Sequence, residues 1–348
     1  MWIYIFKRLC LIIPTLLGIM TLNFFIVQMA PGGPVEQMLS KIEHNVLQGE
    51  TSMGGFSYKK EGIDIEMLAK INALYGFDKT LGERYWLMLK KYLLFDFGES
   101  FYKNTSVVEL ILQKIPVSLS LGFWSSLLIY LIAIPLGIKK AVNNGMPFDN
   151  ITSIIIIIGN AIPTFLFALL LIILFAGGSY WSFFPLRGIV GDDFANLSLL
   201  EKIKDYFWHI TLPVLSLSIG GFATLSLLSK NSFLEEIHKQ YVRLALSKGL
   251  SQSQVLYRHI FRNAMLLVIS SIPSTLLGLF LTGSLLIEII FSLDGLGLLG
   301  YESIITRDYP VIFGSLYIFT LLGLVVVLLN DLLYRVIDPR IHFDKMGE

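Results

Sequence analysis

Few residues of this sequence have the types and spacing that catalysis or cofactor binding requires. The five histidines are scattered, with neither a His-Glu-x-x-His pair nor a Gly-x-Ser-x-Gly nucleophile elbow. No Gly-Lys dipeptide occurs, so the phosphate-binding loop of ATPases cannot form. The single cysteine, Cys10, lies in an apolar run and allows neither a disulfide framework nor a cysteine-based metal site. We therefore expect no catalytic residue, cofactor or bound metal.

One motif matches a cofactor fingerprint by its letters alone. Gly295-Leu-Gly297-Leu-Leu-Gly300 has the spacing of a dinucleotide-binding loop. It follows an apolar membrane segment instead of a strand, and no βαβ unit surrounds it. We expect a flexible turn at the outer side of a membrane instead of a nucleotide site.

The composition is that of a membrane protein. Hydrophobic residues make up 54% of the 348, charged residues 15%, and the mean hydropathy is +0.69. A soluble domain has roughly 25% charged residues. The net charge of +1 gives no support to nucleic-acid binding.

Six apolar windows without a charged side chain are long enough to span a bilayer, which takes about 20 residues. They are residues 9–29, 117–138, 151–175, 210–229, 264–287 and 311–330. Lys and Arg in the short loops place both termini in the cytoplasm. The predicted organisation is a cytoplasmic N-terminus with the first helix (1–30), a periplasmic segment (31–116) and a five-helix core (117–348) with a cytoplasmic tail (331–348). Within the outer segment, residues 49–62 are expected to form a loop, and 65–75 and 81–95 amphipathic helices.

The most informative polar stretch is residues 230–263, here called the knob, which lies between two of these windows on the cytoplasmic side. Gly249 is placed to end a helix, and Ser251 with Gln254 has the spacing of a capping box. The pattern predicts one helix, a glycine turn and a second helix; the alternative is a solvated connection. Apolar residues at helical spacing mark the first helix: Phe233, Ile237, Tyr241 and Leu244.

Acidic residues are absent from the six windows, which disfavours a proton-coupled carrier and an intramembrane enzyme. The nearest acids are Glu288 and Asp331, at the ends of the fifth and sixth windows. The simplest interpretation is placement at the membrane interface; a functional role for Glu288 is the alternative.

One set of residues in the knob forms a recognisable motif: Tyr241, Arg243, Ala245, Lys248, Gly249 and Leu250, followed by Arg262, Asn263 and Ala264. This motif resembles the coupling loop of ABC importer permeases of the dipeptide/oligopeptide subfamily. Arg243 stands where the loop of other subfamilies has Glu, and Leu267 stands in place of a common Pro.

A second stretch is similar to a Glu-x-x-Phe-Ser-x-x-Gly-Leu-Gly motif of the same permeases, with Asp294 in place of Pro. It contains Glu288, Phe291, Ser292, Gly295 and Gly297. Marks of the subfamily recur along the chain: Ala30-Pro-Gly-Gly-Pro34, Phe97-Gly-Glu-Ser100, Ile162-Pro163, Leu212-Pro213, Arg307-Asp-Tyr-Pro310 and Asp338-Pro-Arg-Ile341. Residues 77–79, 175–180 and 280–301 resemble a branch associated with peptides and the peptide-nucleotide antibiotic microcin C.

The resemblance implies an all-α type I importer permease with six transmembrane helices in the bacterial inner membrane. It implies a second homologous permease subunit, ABC ATPase subunits and a periplasmic peptide-binding protein as partners, with peptides as substrate. The knob would couple to the ATPase, and the Glu288 stretch would form a gate or the outer pore. Nickel or glycoside transport within the subfamily, a secondary carrier and a membrane enzyme remain as alternatives.

Overall fold

The computed structural model describes residues 2–29, 79–100, 102–103, 105–178, 180–272, 275 and 285–337. Within these ranges the regular elements are helices, and the only β-type pairing is an isolated bridge between Glu99 and Ser106. The helices are α1 (Trp2–Met29), α2 (Leu81–Leu93), α3 (Val107–Val142), α4 (Pro147–Ala161), α5 (Thr164–Phe175), α6 (Leu199–Ile237), α7 (Gln240–Ser247), α8 (Gln252–Val255), α9 (Phe261–Ser270), α10 (Leu285–Ile290), α11 (Leu296–Thr306) and α12 (Tyr309–Ile337).

The chain divides into two compact units. The larger contains Met1–Arg8, Leu112–Tyr301 and Leu322–Glu348. The smaller contains Leu9–Ile111 and Glu302–Leu321.

Four helices in the described ranges are long and apolar enough to cross a membrane: α1, α3, α6 and α12. They confirm four of the predicted apolar windows as helical, and α3 and α6 extend well beyond theirs. The window 264–287 lies partly outside the described residues; α9 and α10 are its described parts.

The window 151–175 is not one straight helix, which corrects the prediction of a continuous span. It forms α4 and α5, which meet at an angle of 95°. Ile162 has an extended backbone, φ −83° and ψ 121°, directly before Pro163. A residue before proline avoids the helical region because its backbone would clash with the proline ring. Pro14, Pro135 and Pro213, by contrast, lie inside continuous helices.

The larger unit is built on close contact between α3 and α6. A Cβ at Gly137 would lie 2.5 Å from the Ser229 Cβ, and one at Gly221 would lie 2.4 Å from the Ile129 Cδ1. Small residues at such positions let two helix backbones approach closely, which gains dispersion energy where no hydrophobic effect operates. Part of this contact joins a buried cluster with residues of α5 and α10, including Leu121, Ala168, Leu171, Leu217 and Ile287.

The smaller unit confirms a helix at the predicted segment 81–95. Thr80 and Glu83 form a capping box at the start of α2. Its end packs in an aromatic cluster of Tyr92, Phe97 and Tyr317. The Ser100 hydroxyl donates to Asp308 Oδ2 at 2.5 Å and fastens the turn after α2 to the start of α12. The predicted loop 49–62 and helix 65–75 lie outside the described residues.

Adjacent glycines of α6 test the close approach of α3 and α6. Gly221→Ala should destabilise the protein by about 1–3 kcal/mol, because its Cβ would press on the buried Ile129. Gly220→Ala is the control, since its Cβ would find only the Thr164 hydroxyl, at 3.9 Å. Thermal unfolding in detergent measures both; equal midpoints would contradict the contact.

Candidate coupling knob and capped carboxylate

The knob begins as the end of a membrane-spanning helix. Helix α6 continues to Ile237, so residues 230–237 are its last two turns. The Phe233 side chain is fully buried there, and the Ser232 hydroxyl donates to the Ala264 carbonyl at 2.6 Å. The start of the knob is therefore rigidly joined to the bundle.

The predicted single helix through Phe233 and Leu244 is wrong, because the chain breaks at His238 and Lys239. Lys239 is an extended N-cap, with ψ 151°, and α7 starts at Gln240. Both Lys239 and Tyr241 turn back to Glu236: the ammonium forms an ion pair with Oε1, and the Tyr241 hydroxyl donates to Oε2 at 2.5 Å. The hydrogen bond to Glu236 raises the pKa of Lys239. Burial, followed by the Glu236 contact, raises the pKa of Tyr241.

The break reorients α7 so that it contributes to a small core inside the knob. Val242 and Ala245 are buried, and they pack in one cluster with residues of α6, α8, α9 and the end of α3. The buried members are Ala141, Phe233, Val242, Ala245, Val255, Ile260 and Ala264. The knob is thus a folded body and not a solvated connection.

The residues that resemble the coupling loop divide between this core and the surface. Ala245 is buried, and Tyr241 and Leu250 pack against the core from its edge. Arg243, Lys248 and Gly249 are exposed. The sequence did not single out Leu244 and Leu246 as surface residues, yet both are exposed apolar side chains on α7.

The turn and second helix of the knob match the prediction. Gly249 has φ +85°, and no atom lies within 4 Å of a Cβ built on it, so its backbone conformation alone favours glycine. Ser251 and Gln254 form the expected capping box, with N–H···O distances of 3.0 and 3.3 Å. A π-helical turn at Leu256–Ile260, which the sequence did not predict, links α8 to α9.

The second site surrounds Glu288, which is fully buried in α10. Its side chain is thus enclosed by protein, while its placement at the membrane interface stays a prediction. The carboxylate Oε2 accepts the Leu298 N–H at 2.7 Å, and Oε1 accepts the Ser118 hydroxyl at 3.4 Å. The same Ser118 oxygen accepts the Leu296 N–H at 2.8 Å. The carboxylate thus holds the start of α11 against α3, and we call Glu288 with these donors the capped carboxylate.

Two glycines allow the chain to wrap around this carboxylate. A Cβ at Gly295 would lie 2.5 Å from the Glu288 Cδ, and one at Gly297 would lie 3.1 Å from Oε2. Helix α11 begins at Leu296, so Gly297 and Gly300 lie in a helix. The prediction of a flexible turn at residues 295–300 is therefore wrong from Leu296 onward.

The loop between α10 and α11 is fixed by its other residues as well. Phe291 is buried, and its carbonyl accepts the Gly188 N–H at 3.0 Å. Ser292 has a positive φ of 52°. Asp294 forms an ion pair with Lys114, which lies one helical turn before Ser118 on α3.

Helix α3 connects the two sites. Ser118 holds the capped carboxylate near one end, and Ala141 packs in the knob core at the other. At a rise of 1.5 Å per residue these positions are about 35 Å apart along the helix. The hydrocarbon core of a bilayer is about 30 Å thick.

The fold is that of a known class of transport protein. A structure titled "Inward facing conformations of the MetNI methionine ABC transporter: CY5 native crystal form" superposes with a TM-score of 0.51 at 18% identity. The superposition covers 66% of this chain and 97% of that one. This likeness shows that the chain shares its fold with a chain of an ABC transporter.

The family follows from the sequence comparisons. Residues 133–343 match the family described as binding-protein-dependent transport system inner membrane component, and the chain belongs to this family. It is 54% identical to the inner membrane ABC transporter permease protein YejB of Escherichia coli O157:H7, over 98% of this chain and 99% of the relative. It is 53% identical to the peptidoglycan transport system permease protein YejB of Agrobacterium fabrum, over 98% of each. The oligopeptide permease OppB of Haemophilus influenzae is 31% identical over 98% of this chain and 99% of its own length.

The backbone requirement at Gly249 can be tested without changing a contact. Gly249→Val should loosen the knob, because a left-handed backbone costs a residue with a Cβ about 1–2 kcal/mol and a β-branched one more. Gly249→Asn is the control, since asparagine tolerates this conformation. Limited proteolysis in detergent should cut the valine variant faster within the knob. Equal cleavage of both variants would show that the turn does not depend on this backbone conformation.

The close approach of Gly295 to the Glu288 carboxylate leads to a separate prediction. Gly295→Ala should destabilise the chain by about 1–3 kcal/mol, because the added methyl group would overlap the Glu288 carboxylate. Gly300→Ala, five residues on with no atom within 4 Å of its Cβ, is the matched control. Thermal unfolding midpoints in detergent compare the two. Equal unfolding midpoints for Gly295→Ala and Gly300→Ala would show that Gly295 does not lie against the Glu288 carboxylate in solution.

Proposed function

We propose that this chain is the membrane-spanning permease subunit of an ATP-driven importer that moves peptides across the bacterial inner membrane. The observation that carries the proposal is a folded polar knob at the end of a spanning helix, in a chain with no nucleotide-binding loop. Such a chain needs a partner to supply the free energy of ATP hydrolysis. The chain itself performs no covalent chemistry.

Peptides are the substrate class that the relatives support. Of the two relatives that are 53–54% identical, one is named a peptidoglycan transport system permease. Dipeptide and oligopeptide permeases are 30–33% identical to this chain. Peptides and peptide-bearing cell-wall fragments share an amide backbone, and we infer that the pore accepts this shared chemistry. Nickel or glycoside transport is not favoured, because none of these relatives carries such a name.

We infer six transmembrane helices with both termini in the cytoplasm. The four apolar helices and the bent pair α4–α5 supply up to five of these spans. Arg8 forms an ion pair of 2.9 Å with Asp331, which supports a topology with the start of α1 and the later part of α12 at the same end. Basic residues in the knob and in the short cytoplasmic loops agree with this orientation.

The inferred partners are a second homologous permease subunit, ABC ATPase subunits and a periplasmic peptide-binding protein. The exposed face of the knob, with Arg243, Leu244, Leu246 and Lys248, would contact the ATPase, while Ala245 supports that face from inside. The periplasmic segment 31–116 would take part in docking the binding protein. The capped carboxylate, with Phe291, Ser292, Gly295 and Gly297, would form the outer gate of the pore.

A surface change on the knob tests the ATPase contact. Leu244 is 58% exposed, so Leu244→Asp should leave the knob core intact and weaken ATPase binding at least about tenfold. Co-purification of ATPase subunits and peptide uptake into vesicles holding the complex measure the effect. Lys239→Ala is the control, because Lys239 is exposed and Glu236 keeps its hydrogen bond from the Tyr241 hydroxyl. Normal ATPase binding and uptake by Leu244→Asp, or ATP hydrolysis by the purified chain alone, would contradict the proposal.

A further inference from the structure

A buried group of charges lies directly behind the knob, and the sequence did not predict it. Asp149, in the first turn of α4, has a side chain only 4% exposed. Its carboxylate accepts from the Lys230 ammonium at 2.9 and 2.6 Å and from the Gly145 N–H at 3.1 Å. Lys230 is the first residue of the knob, so α4 and α6 are joined by two short hydrogen bonds.

Lys140, near the end of α3, approaches the same carboxylate from the other side. Its side chain is fully buried, and its ammonium lies 3.4 Å from Asp149 Oδ1. It also donates to the Asp149 carbonyl and the Thr152 hydroxyl, both at 3.2 Å, and to the Ser153 hydroxyl at 2.6 Å. Every donor of this ammonium is thereby used on α4, and a single carboxylate connects three helices.

Packing around the charges leaves little room for the helices to slide. Gly137 and Ser229, the close contact of α3 with α6, lie one turn before Lys140 and one residue before Lys230. Ala141, the residue after Lys140, packs in the knob core. The inner end of α3, the start of α4 and the knob are therefore held by both charge and close packing.

Buried ion pairs are weak contributors to stability, because removing charges from water costs as much as their attraction returns. What they supply is a fixed geometry, since each donor and acceptor must keep its partner. We propose that Lys140, Asp149 and Lys230 form a rigid joint that transfers movement of the knob to α4. This inference rests on the proposed function, and the three residues act as positioning residues.

The joint determines which helix moves together with the knob. Helix α4 moves with the knob, and the 95° break at Ile162 and Pro163 separates it from α5. Helix α5 packs in the buried cluster with Leu121 and Ile287. The exposed isoleucines of α4, among them Ile151, Ile154 and Ile158, would then shift against whatever covers them while α5 stays in place.

Lys230→Met tests the joint most cleanly. It removes the link between α6 and α4 but leaves Lys140 and Asp149 as a neutral pair, so no uncompensated anion remains buried. In the reconstituted complex, peptide transported per ATP hydrolysed should fall at least about tenfold. Lys230→Arg, which can still bridge to Asp149, is the matched control and should retain most of the ratio.

Wild-type transport per ATP in Lys230→Met would overturn the joint and leave the proposed function standing. Absence of peptide transport by the unsubstituted complex would instead overturn the proposed function.

A second measurement does not require the Lys230→Met variant to fold. Spin labels at Asn150 and Ser247, in a Cys10→Ser background, should keep one separation with and without ATP, to within about 2 Å for a rigid body. A larger change would show that α4 and the knob move separately.

Discussion

The close contact between α3 and α6 is the constraint on which the larger unit depends. Gly137 against Ser229 and Gly221 against Ile129 bring the two long helices together at positions about two turns apart. In lipid such proximity must come from small side chains, because hydrocarbon offers no hydrophobic driving force between apolar helices. About three turns into α3, Ser118 holds the loop that caps Glu288, and near the end of the helix Ala141 helps to build the knob core. A change in the α3–α6 contact would therefore affect both the knob core and the surroundings of Glu288.

Charge is placed at the ends of this helix pair, where each buried group has partners. Glu288 is surrounded by N–H and hydroxyl donors, and Asp149 lies between two lysines. An ionised side chain inside a membrane protein is costly unless such partners compensate it, so these sites are specific arrangements and not accidents of composition. The middle of the pair is lined instead by buried serines, including Ser125, Ser218 and Ser226. Serines are small enough for close packing and polar enough to bond to a helix carbonyl, as Ser218 does to Val214.

The sequence predicted what depends on local pattern and missed what depends on distant partners. Apolar length identified four helices long enough to span a membrane, and Gly249 with the Ser251–Gln254 box identified the knob's turn and second helix. The break before α7 was missed because it follows from Glu236 bonding to Tyr241 five residues on, a spacing that a continuous helix does not bring together. The burial and partners of Glu288 were missed because its donor Ser118 is 170 residues away. The Lys140–Asp149–Lys230 joint escaped for the same reason, since 81 residues separate Lys230 from Asp149.

The central claim is that α3 separates a folded knob from the capped carboxylate on opposite sides of one membrane. Single cysteines introduced in a Cys10→Ser chain test it directly. Ser253→Cys reports on the knob, and Asp193→Cys reports on the loop that bonds to Phe291 beside the carboxylate. In cells with a permeabilised outer membrane, an impermeant maleimide should label Asp193→Cys at once. Ser253→Cys should react only after the inner membrane is opened. Labelling of both positions from the same side would contradict the account.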